Sequence, residues 1–239
     1  MEMLPHGWTP SHVAIDIDGT ITDENKLLDG EAINALRRLE KAGIPVILST
    51  GNVRAITYGL WRFIGLSGPI CCENGGVLWD SSWDEPLVRA DPRDAKNAAY
   101  WLAERIAGLD PKGIETNRWR ESEWCLRVDE PYEEICALLE KSQYHHLSIV
   151  RTGFAIHLMD GLLSKGQGLE ELFRINSIHP DEVLAIGDAP NDISMFELCG
   201  HSIAVSEEFP NVVASADVVS HEKRSKAIPK IVDEILLQR

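Results

Sequence analysis

The chain has 239 residues, with 38 acidic residues against 23 lysines and arginines, a formal net charge of −15 and 44% hydrophobic residues. That balance sets nucleic acid aside as a main partner, because nucleic-acid binding needs a basic stripe that displaces counterions from phosphates. It also means that any phosphate site must be built locally, from a metal ion, a lysine and backbone N–H groups.

In chain order, residues 12–17 form a short run closing in acidic side chains and predict a first strand. Residues 30–42 place Ala32, Ile33, Leu36 and Leu39 on one helical face, with Gly43 as the stop. Residues 45–49 predict a buried strand, 53–64 a helix closed by Gly65, and 69–72 a third strand. Apolar strands alternating with helices predict a parallel sheet covered on both faces. Gly75 and Gly76 then turn into a short added strand at 77–79.

From there the pattern changes. It predicts a helix over 91–107, a strand over 124–128, a proline-started helix over 131–141, and a hairpin of 147–150 with 154–159 turning at Arg151, Thr152 and Gly153. Helices among antiparallel strands predict an α+β unit inserted at residues 82–159. Residues 1–81 and 160–239 are then the two parts of a Rossmann-like α/β core. The alternation resumes with a helix over 165–176, a strand over 182–186, a helix over 193–199, strands at 202–205 and 218–219, and a final helix over 226–237.

Residues 1–10 are not an apolar leader, and no run of about eighteen apolar residues suggests a membrane span. The cysteines at 71, 72, 125, 136 and 199 are odd in number. A reducing cytoplasm is the expected location. Cys71 and Cys72 are expected to pack as small hydrophobes.

The first chemical signal is Asp16, Ile17, Asp18, Gly19 and Thr20, directly after the first strand. Side chains at the carboxyl ends of parallel strands emerge into the crevice where such sheets bind ligands. Two carboxylates two residues apart on an extended chain point the same way. The ordinary alternative is an acidic loop. The second signal is Gly187, Asp188, Ala189, Pro190, Asn191 and Asp192, after another apolar strand. Asn191 as a helix N-cap and Asp192 as a first-turn acid account for part of it. They do not account for a second carboxylate cluster at a second strand end. Asp16, Asp18, Asp188 and Asp192 in one crevice would repel one another. A hard divalent cation resolves that, and magnesium favours carboxylate oxygen with retained water.

Thr50, ending the second strand, offers a hydroxyl to a phosphoryl oxygen, and the amide of Gly51 or Asn52 a second donor. A plain N-cap fits Thr50 equally well. Lys165 starts a helix, where a cation opposes the dipole unless a carboxylate or phosphate compensates. An exposed lysine is the ordinary reading.

In order and spacing, Asp16 to Thr20, Thr50 to Asn52, Lys165, and Gly187 to Asp192 resemble the four motifs of the haloacid dehalogenase superfamily of phosphatases. The inserted unit resembles the large α/β cap of the type called C2. More narrowly, Glu73 to Gly76, Thr116 to Glu121 and His157 to Met159 are similar to segments of the archaeal-type phosphoglycolate phosphatases. Many relatives carry arginine where this chain has Asn52. That narrower group shares the departure.

The resemblance implies that Asp16 attacks phosphorus and that Asp18 acts as acid and then base. It implies magnesium held by Asp16, the Asp18 carbonyl and Asp188, with Asp192 nearby. Thr50, Gly51, Lys165 and Asn191 would hold the phosphoryl group. In the inserted unit Arg118 and Arg120 are candidates for a substrate carboxylate, since guanidinium offers a bidentate fork. The alternative puts both on one strand face, paired with Glu121, Glu123 or other acids. His157 is expected to be a packed histidine. The expected partner is a small phosphorylated metabolite, with the chain a monomer or homodimer. A sugar-phosphate phosphatase or a phosphomutase would share the same core motifs. A non-catalytic binding protein is argued against by the intact Asp16 and Asp18 pair. A true dehalogenase is disfavoured because it needs neither the second aspartate nor a metal cluster.

Overall fold

A computed structural model describes residues 2–239. Strand β1 (His12–Ile15) buries Val13 and Ile15 on one face and Ala14 on the other, the period of two that a sheet imposes. Helix α1 (Gly30–Lys41) starts at Asp29, whose carboxylate accepts from the N–H groups of Glu31 and Ala32. Its Ala32, Ala35, Leu36 and Leu39 are buried, each leucine contributing roughly 1.5–3 kcal/mol of apolar burial. Strand β2 (Val46–Ser49) is buried throughout, and α2 (Arg54–Ile64) ends at Gly65 in the left-handed region. Strands β3 (Ile70–Cys72), β4 (Val77–Trp79) and β5 (Leu87–Val88) follow, with β4 and β5 running antiparallel to their neighbours.

The next stretch builds a second, smaller sheet. Helix α3 (Arg93–Ala103), strand β6 (Trp124–Arg127), helix α4 (Tyr132–Glu140), and strands β7 (Leu147–Arg151) and β8 (Ala155–Asp160) share a core of their own. Leu102, Leu126, Ile135, Leu139, Ile156 and Leu158 fill it. The strand order is β6-β8-β7, all antiparallel.

The chain then returns with α5 (Lys165–Asn176), β9 (Val183–Gly187), α6 (Ile193–Leu198), β10 (His201–Ala204), α7 (Pro210–Ser215), β11 (Val218–Val219) and α8 (Ala227–Leu237). The larger sheet reads β11-β10-β9-β1-β2-β3-β4-β5 and is parallel from β11 to β3. One face packs against α1 and α8 residues such as Leu36 and Ile231, the other against α5 and α6 residues such as Phe173 and Met195. This is the α/β architecture that the alternation predicts.

Three local differences matter. The expected boundary at residue 82 falls within the β4–β5 connection, and Leu87 and Val88 still pair with the larger sheet. Glu115–Trp119 form a 3-10 turn, so Arg118 and Arg120 do not share a strand face. Strand β5 and helix α7 were not expected, being two and six residues long, too short to show a period. Among the described residues no helix is long and apolar enough to cross a membrane.

Candidate active site

Strand β1 lies between β2 and β9, with Ile15 opposite Leu48 on one side and Ile186 on the other. Asp16 follows β1, Thr50 follows β2 and Asp188 follows β9, so three adjacent parallel strands deliver their ends to one edge. The Asp16 N–H still donates to Ile186 O at 3.0 Å, which fixes the first carboxylate beside β9. Gly19 must be glycine here. Its φ is +84°, and a Cβ would fall 2.1 Å from Asp188 Oδ2.

Lys165, the first residue of α5, is fully buried. Its Nζ donates to Asp16 Oδ1 and to Asp192 Oδ1, each at 2.6 Å. Burial alone would lower the lysine pKa, but Asp16 and Asp192 outweigh it and raise it, so the group stays charged. They also supply the compensation that a cation at a helix start requires. The other oxygen of Asp192 accepts from the N–H groups of Asp188 at 2.9 Å and Ala189 at 3.0 Å. Both oxygens of Asp192 are therefore engaged, one holding the lysine and one holding the loop after β9.

Burial pushes Asp16 well above the usual carboxylate range, against the pull of Lys165 and with added repulsion from Asp192, Asp188 and Asp18. Asp188 is pushed up to about 7 by burial and then by Asp192. Asp16, Asp188 and Asp192 each offer an oxygen within 4.8 Å of the others. An all-oxygen set of crowded carboxylates suits a hard divalent ion such as magnesium. Asp18 accepts from the side-chain amide of Asn52, whose backbone N–H donates to Thr50 Oγ1 at 3.1 Å. Burial raises the Asp18 pKa, opposed by that hydrogen bond and by the charges of Lys165, Lys26 and His157.

A cleft of about 260 Å³ opens over these groups. Asp16, Asp18, Gly51, Asp188 and Asn191 line it from the larger sheet, and Thr152, Gly153 and Phe154 from the β7–β8 turn face them. Thr50, Lys165 and Asp192 are fully buried and do not line it. Asn191 Nδ2 donates to Asn74 Oδ1 at 3.0 Å, tying the loop after β9 to the turn after β3.

That turn is packed against α5 through two residues without side chains. A Cβ on Gly75, whose φ is +91°, would lie 2.1 Å from Ser164 O, and one on Gly168 would lie 2.5 Å from Gly75 Cα.

Arg118 and Arg120 do not reach the cleft. Arg118 is exposed and its Nη2 donates to Glu115 Oε1 at 3.0 Å. Arg120 is buried, and its Nη1 donates to Gly51 O at 3.0 Å and to Glu123. Glu123 is buried with it. Burial opposes its ionisation, but His157 and Arg120 win and hold it below the usual carboxylate range. His157 Nδ1 lies 3.0 Å from Glu123 Oε1, and its Nε2 lies 3.2 Å from Thr152 Oγ1. The histidine is packed, as expected, inside a buried polar network joining the smaller sheet to the loop after β2. Glu73 belongs to it too, accepting from the N–H and Oγ of Ser122, and is raised to about 7 chiefly by burial. Cys71 and Cys72 are buried free thiols.

Sequence reasoning missed Lys26 and Arg224, two cations on the cleft wall. Thr22 to Lys26 follows the first motif after Ile21, and its polar run is the signal that marks Lys26 as part of a turn near the site.

A family model described as haloacid dehalogenase-like hydrolase matches residues 13–107 and 117–232. The phosphoglycolate phosphatase of Methanothermobacter thermautotrophicus is 36% identical over 221 residues, covering 92% of this chain and 96% of that protein. The phosphoglycolate phosphatase of Thermoplasma acidophilum is 32% identical over 218 residues, covering 91% and 95%. A crystal structure of a Thermoplasma acidophilum protein superposes with a TM-score of 0.84 at 30% identity, covering 95% of this chain and 98% of that one. A haloacid dehalogenase subclass IIB sugar phosphatase shares the fold, with a TM-score of 0.75 at 18% identity over 95% of this chain and 99% of that one.

Proposed function

The chain belongs to the haloacid dehalogenase-like hydrolases and is a phosphatase of that family, and on that premise we propose that it hydrolyses a small phosphorylated acid, 2-phosphoglycolate first, through an aspartyl-phosphate on Asp16. The observation that carries this reading is the Lys165 ammonium held between Asp16, at the end of β1, and Asp192, in the loop after the adjacent β9. It keeps a charged donor beside the nucleophile and opposes the burial that disfavours the nucleophile's ionised form.

Asp16 attacks phosphorus in line and takes the phosphoryl group. Asp18, oriented by Asn52 and kept protonated more readily by burial, gives its proton to the departing oxygen. It then takes a proton from the water that cleaves the aspartyl-phosphate. The backbone at Gly51 and Asn191, which line the cleft, bind the phosphoryl oxygens, and Lys165 and Thr50, buried directly behind Asp16 and Gly51, would add their donors once the phosphoryl group reaches Asp16. Asp16, Asp188 and the Asp18 carbonyl would hold magnesium, with Asp192 at one remove, and the ion when bound neutralises charge on the transferring group. The three-stranded unit within residues 82–159 serves as a cap that selects substrate and excludes bulk water.

The preference for phosphoglycolate is supported by the names of the relatives and by the cleft, whose volume of about 260 Å³ suits a substrate of few atoms. Phosphate release from a panel of phosphorylated acids and neutral sugar phosphates, in magnesium, tests it. Phosphoglycolate is expected to give the highest kcat/KM. Faster turnover of neutral sugar phosphates would overturn the substrate assignment.

A further inference from the structure

We infer that Lys26 is the residue that recognises the acid group of the substrate. This rests on the reading of the site as a phosphatase of small phosphorylated acids. A substrate bearing both phosphate and carboxylate must be held in a cleft whose wall already carries Asp16, Asp18, Glu24, Asp188 and Glu208. A second cation beyond the phosphate pocket is therefore needed. The cleft wall supplies two, Lys26 and Arg224. Arg120 does not serve, because it is buried, lies off the cleft and has its charge met by Glu123.

The two lining cations are committed differently. Arg224 pairs with the carboxylate of Glu208 at 3.4 Å, whereas the Lys26 ammonium meets a backbone carbonyl, that of Gly153, at 2.8 Å. Asp18 serves the departing oxygen, and in phosphoglycolate one carbon separates that oxygen from the carboxylate. The acid group therefore lies within the same cleft, where Lys26 is the lining cation not already paired with a carboxylate.

Lys26 is also built into place. It stands at the tip of a loop closed by the Thr22–Leu28 bridge, with a φ of +62°. A side-chain-bearing residue adopts that conformation at a cost. Here Asp23 Oδ1 offsets it by accepting from the N–H groups of Asn25 at 2.8 Å and Leu27 at 2.9 Å. The Lys26 ammonium donates to Gly153 O, in the β7–β8 turn, at 2.8 Å. An ammonium has three donors, so two remain for a carboxylate. The lysine spans the gap between the two sheets at the point where the substrate's acid group would lie.

The test compares kcat/KM for 2-phosphoglycolate with that for ethyl phosphate, its counterpart without the acid. In Lys26→Met the ratio of the two should fall roughly tenfold or more. Lys26→Arg, which keeps the charge, should restore most of it, and the surface variant Arg118→Ala should keep the wild-type ratio. If the wild type favours phosphoglycolate but Lys26→Met leaves the ratio unchanged, or lowers both activities in parallel, Lys26 only clamps the cap and the assignment is wrong. If the wild type shows no preference for the acid, the substrate reading itself fails.

Discussion

Lys165 reaches Asp16 across 149 positions of sequence, with Nζ 2.6 Å from Oδ1, and the ion pair is buried beneath the cleft. Replacing the lysine by methionine leaves Asp16 and Asp192 buried without their cation. Breaking such a pair costs about 3–5 kcal/mol. Urea unfolding of Lys165→Met in chelator should show that loss, and added magnesium should recover part of it. Turnover should fall on the order of 10²–10³-fold, as for loss of one preorganised charge-stabilising donor. A variant as stable as the wild type in chelator would contradict the pair's burial.

The two N-terminal aspartates should separate kinetically. Asp16→Asn is expected to abolish both turnover and covalent phosphorylation. Asp18→Asn should slow formation and breakdown of the phosphoenzyme while leaving substrate binding nearly intact. Rapid-quench trapping decides the matter: phosphoenzyme appearing at the wild-type rate in Asp16→Asn would place the nucleophile elsewhere.

Removal of divalent metal should stop activity, and magnesium should restore it. Calcium should occupy the site yet inhibit, since it prefers more ligands and a looser shell. A ligand that binds only the folded state raises stability by mass action. Magnesium should accordingly raise the melting temperature of the wild type and much less that of Asp188→Asn. Undiminished turnover after exhaustive metal removal would refute the scheme.

Glu73 gives a pH signature in stability. Its folded pKa is raised to about 7, mainly by burial, from an ordinary value of 4.5. Between those values the folded state binds more proton than the unfolded state, so its contribution falls as pH rises from about 4.5 to about 7. Glu73→Gln should flatten the decline of unfolding free energy across that window. A mutant whose pH slope matches that of the wild type would show that Glu73 titrates normally.

The core of the site was legible because its residues follow apolar strands and sit beside glycines, features that survive in a linear reading. Asp16, Asp188 and Thr50 came together because β9, β1 and β2 are neighbours in a parallel sheet. The cap was less legible. Arg120 carries the side chain expected of a carboxylate binder, but Glu123 neutralises it three residues on, and Gly51 accepts from it across 69 positions. Nothing local distinguishes a buried clamp of that kind from a ligand. Lys26 was missed for the opposite reason. It lies in a polar turn without periodicity, and only the placement of Gly153, 127 positions away, reveals what it faces.

The contact between Gly75 and Gly168 has a consequence for how tolerance to change would be distributed along the chain. Neither residue offers a functional group, yet a single methyl on either would force the turn after β3 and the start of α5, which carries Lys165, to shift relative to each other. A survey of substitutions scored by turnover would rank these two positions beside the aspartates. The same survey scored by expression would separate them only if the displaced helix also unfolds. Two silent atoms' worth of space thus sets the register of the reaction as firmly as the charged groups do.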